Sequence, residues 1–153
     1  MTCFWILLDL VSNNPMFPSD LSALSLASNH LKGALPSDLF SKLTQLRHLY
    51  LNDNQFSGSI PTEVGLLSSL KKLSLQHNNL SGTLPTELGQ IVGMKEMYIG
   101  KVDLNGPIPS EMTQMTNLAA LGRLKTEGLT CVFSIPVLNF LLTQSLQICL
   151  EQA

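Results

Sequence analysis

Residues 75–85 read LQHNNLSGTLP. Apolar residues, an asparagine pair, a glycine and a proline follow in that order, with no Asp, Glu, Lys or Arg among them. The run has neither the three-and-four spacing of an amphipathic helix nor the unbroken alternation of a long strand. The sequence around it resolves the question. Residues 70–93 read LKKLSLQHNNLSGTLPTELGQIVG. Before them, residues 46–69 read LRHLYLNDNQFSGSIPTEVGLLSS, and after them residues 94–117 read MKEMYIGKVDLNGPIPSEMTQMTN. Residues 21–45, LSALSLASNHLKGALPSDLFSKLTQ, are the same unit with one more residue, near Phe40. Leu21, Leu46, Leu70, Met94 and Leu118 therefore open successive units, 24 residues apart from Leu46 onward. Self-similarity at such a period marks a solenoid, in which each unit buries its apolar face against its neighbours.

Each slot of the unit has a physical reading. In L-x-x-L-x-L the leucines alternate as on a strand, pointing inward while the residues between them point out. Asn29, Asn54 and Asn78 take the ninth place, where the chain turns and a buried amide can bond backbone groups left unpaired by the turn. Stacked units would set these amides in a ladder, which Val102 interrupts in the fourth unit. Leu31, Phe56, Leu80 and Leu104 return to the core. Gly33, Gly58, Gly82 and Gly106 follow, where a Cβ would hinder the backbone, and then Pro36, Pro61, Pro85 and Pro109 start an outer segment. Leu39, Val64, Leu88 and Met112, with Leu43, Leu67, Ile91 and Met115, close the core from the outer side.

The pattern L-x-x-L-x-L-x-x-N-x-L-x-G-x-I-P-x-x-L resembles the plant-type leucine-rich repeat of receptor-like kinases, receptor-like proteins and polygalacturonase-inhibiting proteins. The likeness covers residues 21 to about 121. It implies an α/β fold: a horseshoe solenoid with a parallel concave β-sheet and short helical or irregular outer segments. The chain then divides into a degenerate N-terminal repeat fragment at 1–20, the repeat domain at 21–121 and an apolar tail at 122–153. The domain holds full units at 21–45, 46–69, 70–93 and 94–117, and a partial unit from 118. The resemblance also favours the extracellular or cell-surface side of a membrane.

An acid follows each repeat proline by two residues, at Asp38, Glu63, Glu87 and Glu111, with a hydroxyl between, at Ser37, Thr62, Thr86 and Ser110. A column of acids invites a metal reading. An N-cap hydroxyl followed by a first-turn acid that suits the helix dipole is the better account. No metal or cofactor is expected.

Repeat proteins bind on the face whose residues the fold does not dictate, here the concave sheet. Its first row, Ala23, Ser25, Ala27 and Ser28, is small. The next rows carry rings, both signs of charge and amides, and they supply the candidate ligand-binding residues: His48, Tyr50, Asn52 and Asp53, then Lys72, Gln76 and His77, then Glu96, Tyr98 and Lys101. Tyrosines among mixed polar groups suit a protein or peptide ligand. Asp53, His77 and Lys101 share one slot in successive units and are expected to form a lateral row, about 5 Å from strand to strand. An acid beside a histidine is part of a catalytic triad, but no nucleophile accompanies it, since Ser74 lies three residues back along the strand. No kinase signature occurs, and no catalytic residue is assigned. A structural or assembly scaffold without a dedicated ligand is the alternative to a recognition module.

The remaining features bound these readings. Apolar residues make up 44% of the 153, too many for a disordered chain. Nine Lys and Arg spread along a chain of net charge −2 form no basic patch, so nucleic acid is not an expected partner. Cys3, Cys131 and Cys149 are odd in number and widely spaced, which signals neither a zinc site nor a disulfide framework. The opening MTCFWILLDLVSNN lacks a basic n-region and is interrupted by Asp9, so it is not read as a signal peptide. Residues 129–150 carry no charge, and both a cap on the end of the solenoid and a membrane span stay open for them. Asn79-Leu80-Ser81 is an N-glycosylation tripeptide, though it overlaps the repeat pattern.

Overall fold

The computed structural model describes residues 20–121 apart from Lys101 and Pro107. The N-terminal fragment, the three cysteines and the uncharged stretch 129–150 lie outside the described residues. Within them, each unit opens with a short strand where L-x-x-L-x-L places it. These are β1 (Ala23–Ser25), β3 (His48–Tyr50), β5 (Lys72–Ser74), β7 (Glu96–Tyr98) and β9 (Ala120–Leu121). They form one parallel sheet in the order β1-β3-β5-β7-β9. Its register aligns Leu24 with Leu49, Leu49 with Leu73 and Leu73 with Met97. The ladder runs one residue past each strand, with Leu51 N–H on the Ser74 carbonyl at 2.9 Å and Leu75 N–H on the Tyr98 carbonyl at 2.7 Å.

A second sheet departs from the single-sheet expectation. After the turn the chain forms β2 (Lys32–Ala34), β4 (Gln55–Gly58), β6 (Asn79–Gly82) and β8 (Asp103–Leu104), parallel and in the order β2-β4-β6-β8. Phe56 and Leu80 point inward from it with no exposure, while Gln55, Ser57, Asn79 and Ser81 face solvent. This is the period-two alternation of a half-buried strand. Gly82 ends β6 at φ +87, a conformation in which an L side chain is strained.

The outer segments are α1 (Ser37–Lys42) and the 3₁₀ helices η1 (Thr62–Leu66), η2 (Thr86–Gln90) and η3 (Ser110–Gln114). The extra residue of the first unit falls in the one α-helical segment. An α turn holds 3.6 residues against 3.0 for a 3₁₀ turn, so the wider turn takes up the insertion. The capping expectation needs correction. Pro36, Pro61, Pro85 and Pro109 themselves occupy the N-cap position, and no side chain caps any of these helices. The hydroxyls sit one residue inside, where Thr62, Thr86 and Ser110 donate instead to the neighbouring carboxylates of Glu63, Glu87 and Glu111 at 3.3–3.4 Å. The four acids do lie in the first turns, where the helix dipole favours them.

One continuous core runs down the solenoid, with Leu49, Leu67, Leu70, Leu73, Leu88 and Ile91 fully buried in it. Each such leucine or isoleucine stabilises by about 2 kcal/mol relative to exposure. The asparagine ladder is present in the middle units. The Asn78 amide donates to the carbonyls of Leu51 and Leu75 at 3.0 and 2.9 Å and accepts from Phe56 N–H at 3.0 Å. Asn54 does the same one unit earlier, to Leu26 and from Leu31. Asn29 is exposed, and among the described residues its side-chain amide bonds Leu26 and Ala27 of its own unit. Val102 is buried in the ladder slot of the fourth unit and has no amide to offer.

Candidate functional site: the concave sheet

The register of the first sheet decides which outward side chains meet. One column runs Ala23, His48, Lys72, Glu96, and the next runs Ser25, Tyr50, Ser74, Tyr98. Ser74 is 3% exposed between the two tyrosines. Lys72, two residues earlier on β5, reaches both rings. The Lys72 ammonium lies 5.7 Å from the Tyr50 ring centroid and 5.3 Å from that of Tyr98. Both distances are within the range of a cation–π contact. The same ammonium is 2.6 Å from the Glu96 carboxylate, which also accepts a hydrogen bond from the Tyr98 hydroxyl at 3.3 Å. His48 stacks beside Tyr50 with centroids 6.5 Å apart. Five of the candidate residues, His48, Tyr50, Lys72, Glu96 and Tyr98, are thus brought into one contiguous group across β3, β5 and β7.

This contact sets the electrostatics. The hydrogen bond from Lys72 holds the Glu96 carboxyl below its ordinary range, against the opposing effect of burial, and the ammonium charge and Tyr98 hydroxyl act in the same direction. The hydrogen bond to Glu96 raises the Lys72 ammonium, again against burial, and the charge of Glu96 adds to it. The pair remains partly open to solvent, with side-chain exposures of 29% and 38%. Its main effect is therefore geometric, fixing two aromatic rings on either side of one lysine.

A second group sits at the turn. Asp53 Oδ1 and His77 Nδ1 are 2.6 Å apart, and the Asn52 amide donates to Asp53 Oδ2 at 2.6 Å. The lateral pairing expected of Asp53 and His77 is present, while Lys101 lies outside the described residues. Sequence reasoning missed the backbone that makes the pair. Ser28, Asp53 and His77 all adopt positive φ, at 56, 56 and 57°. The signal was available, since Asp and His are among the residues that tolerate the left-handed region. Because the same slot repeats the conformation in three units, it belongs to the turn of the repeat. The N–H groups of Ser28, Asp53 and His77 bond the carbonyls of Asn52, Gln76 and Gly100 in the next unit. Gln76 is half-buried, and its Oε1 is buried with no hydrogen-bond partner among the described residues. No group of three or more His, Cys, Asp or Glu among the described residues has a geometry that could hold a metal ion.

Comparison with known proteins agrees with this architecture. The leucine rich repeat family model matches residues 19–80. Receptor-like protein 49 of Arabidopsis thaliana is 43% identical over 49 residues, a match covering 32% of this chain and 6% of that protein. The ectodomain of the Arabidopsis thaliana membrane receptor kinase GASSHO1/SCHENGEN3, solved in complex with CASPARIAN STRIP INTEGRITY FACTOR 2, superimposes with a TM-score of 0.69 at 37% identity. That match covers 72% of this chain and 13% of the ectodomain. The ectodomain of the Arabidopsis receptor kinase HAESA, in complex with an IDA peptide hormone ligand, gives a TM-score of 0.66 at 33% identity, covering 69% of this chain and 18% of that one. The chain therefore spans only a small part of the length of these relatives. Repeat pattern and parallel solenoid give the described residues the leucine-rich repeat fold, similar to that of plant receptor ectodomains.

Proposed function

We propose that the chain is a non-catalytic recognition module that binds a protein or peptide ligand on its concave sheet, on the extracellular side of a membrane. The observation that carries the reading is the Tyr50–Lys72–Glu96–Tyr98 group. Two amphipathic rings held by a shared cation present apolar area with polar tips at little entropic cost, as interface anchors do. Ala23 and Ser25 leave the first strand without such anchors, which supports a site on the second to fourth units. The names of the similar structures support the ligand class, since GASSHO1/SCHENGEN3 and HAESA were each solved with a peptide or protein factor. Catalysis is disfavoured by the open sheet and by the burial of Ser74, the serine nearest along the chain to the Asp53–His77 pair.

The test is a binding screen of the full chain against a library of secreted plant peptides by biolayer interferometry. Each binder is then measured against a Tyr50→Ala, Tyr98→Ala double variant. The expected result is at least one binder that loses roughly tenfold or more in affinity, about 1.4 kcal/mol, with no change in melting temperature. Binders indifferent to both tyrosines would place recognition elsewhere. The absence of any binder would favour a structural scaffold.

A further inference from the structure

The residue after each ladder position changes from unit to unit, as His30, Gln55, Asn79 and Asp103. Only Asn79 is an asparagine with Ser or Thr two places on, and Asn79-Leu80-Ser81 is the single N-x-S/T tripeptide in the chain. The fold separates the two adjacent asparagines. Asn78 is buried with its amide engaged in the ladder. Asn79 opens β6 with an exposed side chain and has no part in the ladder. Ser81 is exposed on the same side, as expected two residues along a strand, and Leu80 between them is fully buried. Opposite Asn79 in β4 stands the small Ser57. The fold explains Asn78 and Leu80, but it does not require Asn79 or Ser81.

We propose that Asn79 is an N-glycosylation site, modified before β6 enters its sheet. The proposal rests on the extracellular reading above, because the donor, an oligosaccharide linked through pyrophosphate to a lipid, is supplied in the secretory compartment. In the transfer, the Asn79 amide nitrogen bonds to the anomeric carbon of the first sugar. The bond from that carbon to the pyrophosphate oxygen breaks, the lipid pyrophosphate leaves with the electron pair, and the amide gives up one proton. The order of events follows from the packing. In the folded chain residues 79–82 pair with β4 on one side and β8 on the other, and the Leu80 side chain is in the core. An enzyme that grips the whole tripeptide needs β6 free of both neighbours. Afterwards the modified amide faces solvent beside small side chains and the core packs unchanged. The chain turns between Gln76 and Asn79, so the glycan projects from the second sheet. It shields that face and leaves the strands carrying Tyr50, Lys72 and Tyr98 open.

The test is expression of the full chain in plant cells behind a cleavable secretory leader. The expected result is one mobility step that peptide-N-glycosidase removes. It is absent from Asn79→Gln and Ser81→Ala and retained in Ser81→Thr, while Asn79→Gln keeps the wild-type circular dichroism. A secreted wild-type chain without the step, or a step that persists in Asn79→Gln, overturns the site. Unmodified chain made in bacteria and presented to donor-loaded microsomes is expected to stay unmodified when folded and to accept glycan after unfolding in urea and dilution. Equal acceptance by the folded chain overturns the order of events. The binding screen separates the two readings. A secreted chain that carries the step but binds no peptide sinks the recognition reading and leaves Asn79 standing, while a chain that binds through Tyr50 and Tyr98 but lacks the step sinks the site alone.

Discussion

At the scale of single residues, chemically identical side chains have different weight according to their place in the stack. Asn78 and Asn29 fill the same slot. Asn78 is buried and reaches back to Leu51 and Phe56 of the preceding unit, whereas Asn29 is exposed and, among the described residues, its side chain bonds carbonyls of its own unit. Asn78→Ala strands a buried N–H and two buried carbonyls, so it should destabilise by about 2 kcal/mol in urea denaturation. Asn29→Ala should cost well under ~1 kcal/mol, because water replaces its partners. Equal costs would mean that the ladder contributes nothing between units. Lys72 and Glu96 differ from these asparagines in being tied to pH. The lowered Glu96 carboxyl contributes stability above the ordinary carboxylate range, and that contribution is lost as pH falls through its lowered pKa. The raised Lys72 ammonium contributes below the ordinary lysine range, and its contribution is lost as pH rises through its raised pKa. The pair is therefore intact across the neutral window between these limits. NMR titration of the Glu96 side-chain carboxyl should show its midpoint rising in Lys72→Met. An unmoved midpoint would show that the contact does not persist in solution.

At the scale of elements, the outer helices are held closer together than the apolar pattern indicates. A Cβ built on Gly65 in η1 would lie 2.7 Å from the backbone oxygen of Glu87 in η2, and one on Gly89 in η2 would collide with the backbone of Glu111 in η3. Neighbouring backbone cannot swing aside as the tip of a side chain can. Gly89→Ala should therefore cost about 1–3 kcal/mol by overpacking, read as a lower urea midpoint, although alanine is the better helix former. A neutral or stabilising result would show that the spacing between η2 and η3 is soft. These two glycines sit three residues after Thr62 and Thr86 in T-E-x-G, a recurrence visible in the sequence and without meaning until the units are stacked. The same holds for the second sheet. The alternation in QFSG and NLSG is that of a strand, but one inward residue per unit is too little to separate a strand from a turn until β4 and β6 are seen to pair.

For the whole molecule, each described unit packs on its neighbours, and the concave face is a composite of several units, with the Tyr50–Lys72–Glu96–Tyr98 group complete in no single one. The strand positions, the core leucines and the interruption at Val102 were legible in the order of residues along the chain. Each of these depends on a local slot, and a 24-residue period repeats the slots in register. It also brought Asp53 beside His77, because equal slots in adjacent units must become neighbours on parallel strands. The candidate face was legible only as a set of outward residues. That Lys72 stands between Tyr50 and Tyr98, across a buried Ser74, was decided by the tertiary structure, as were the left-handed backbone at Asp53 and His77 and the contact at Gly65. The physical reason is common to all three. Alternation says which way a side chain points, but the distance and angle between one strand's residue and another's follow from the spacing and twist of the stacked backbones, and these exist only once the units have packed.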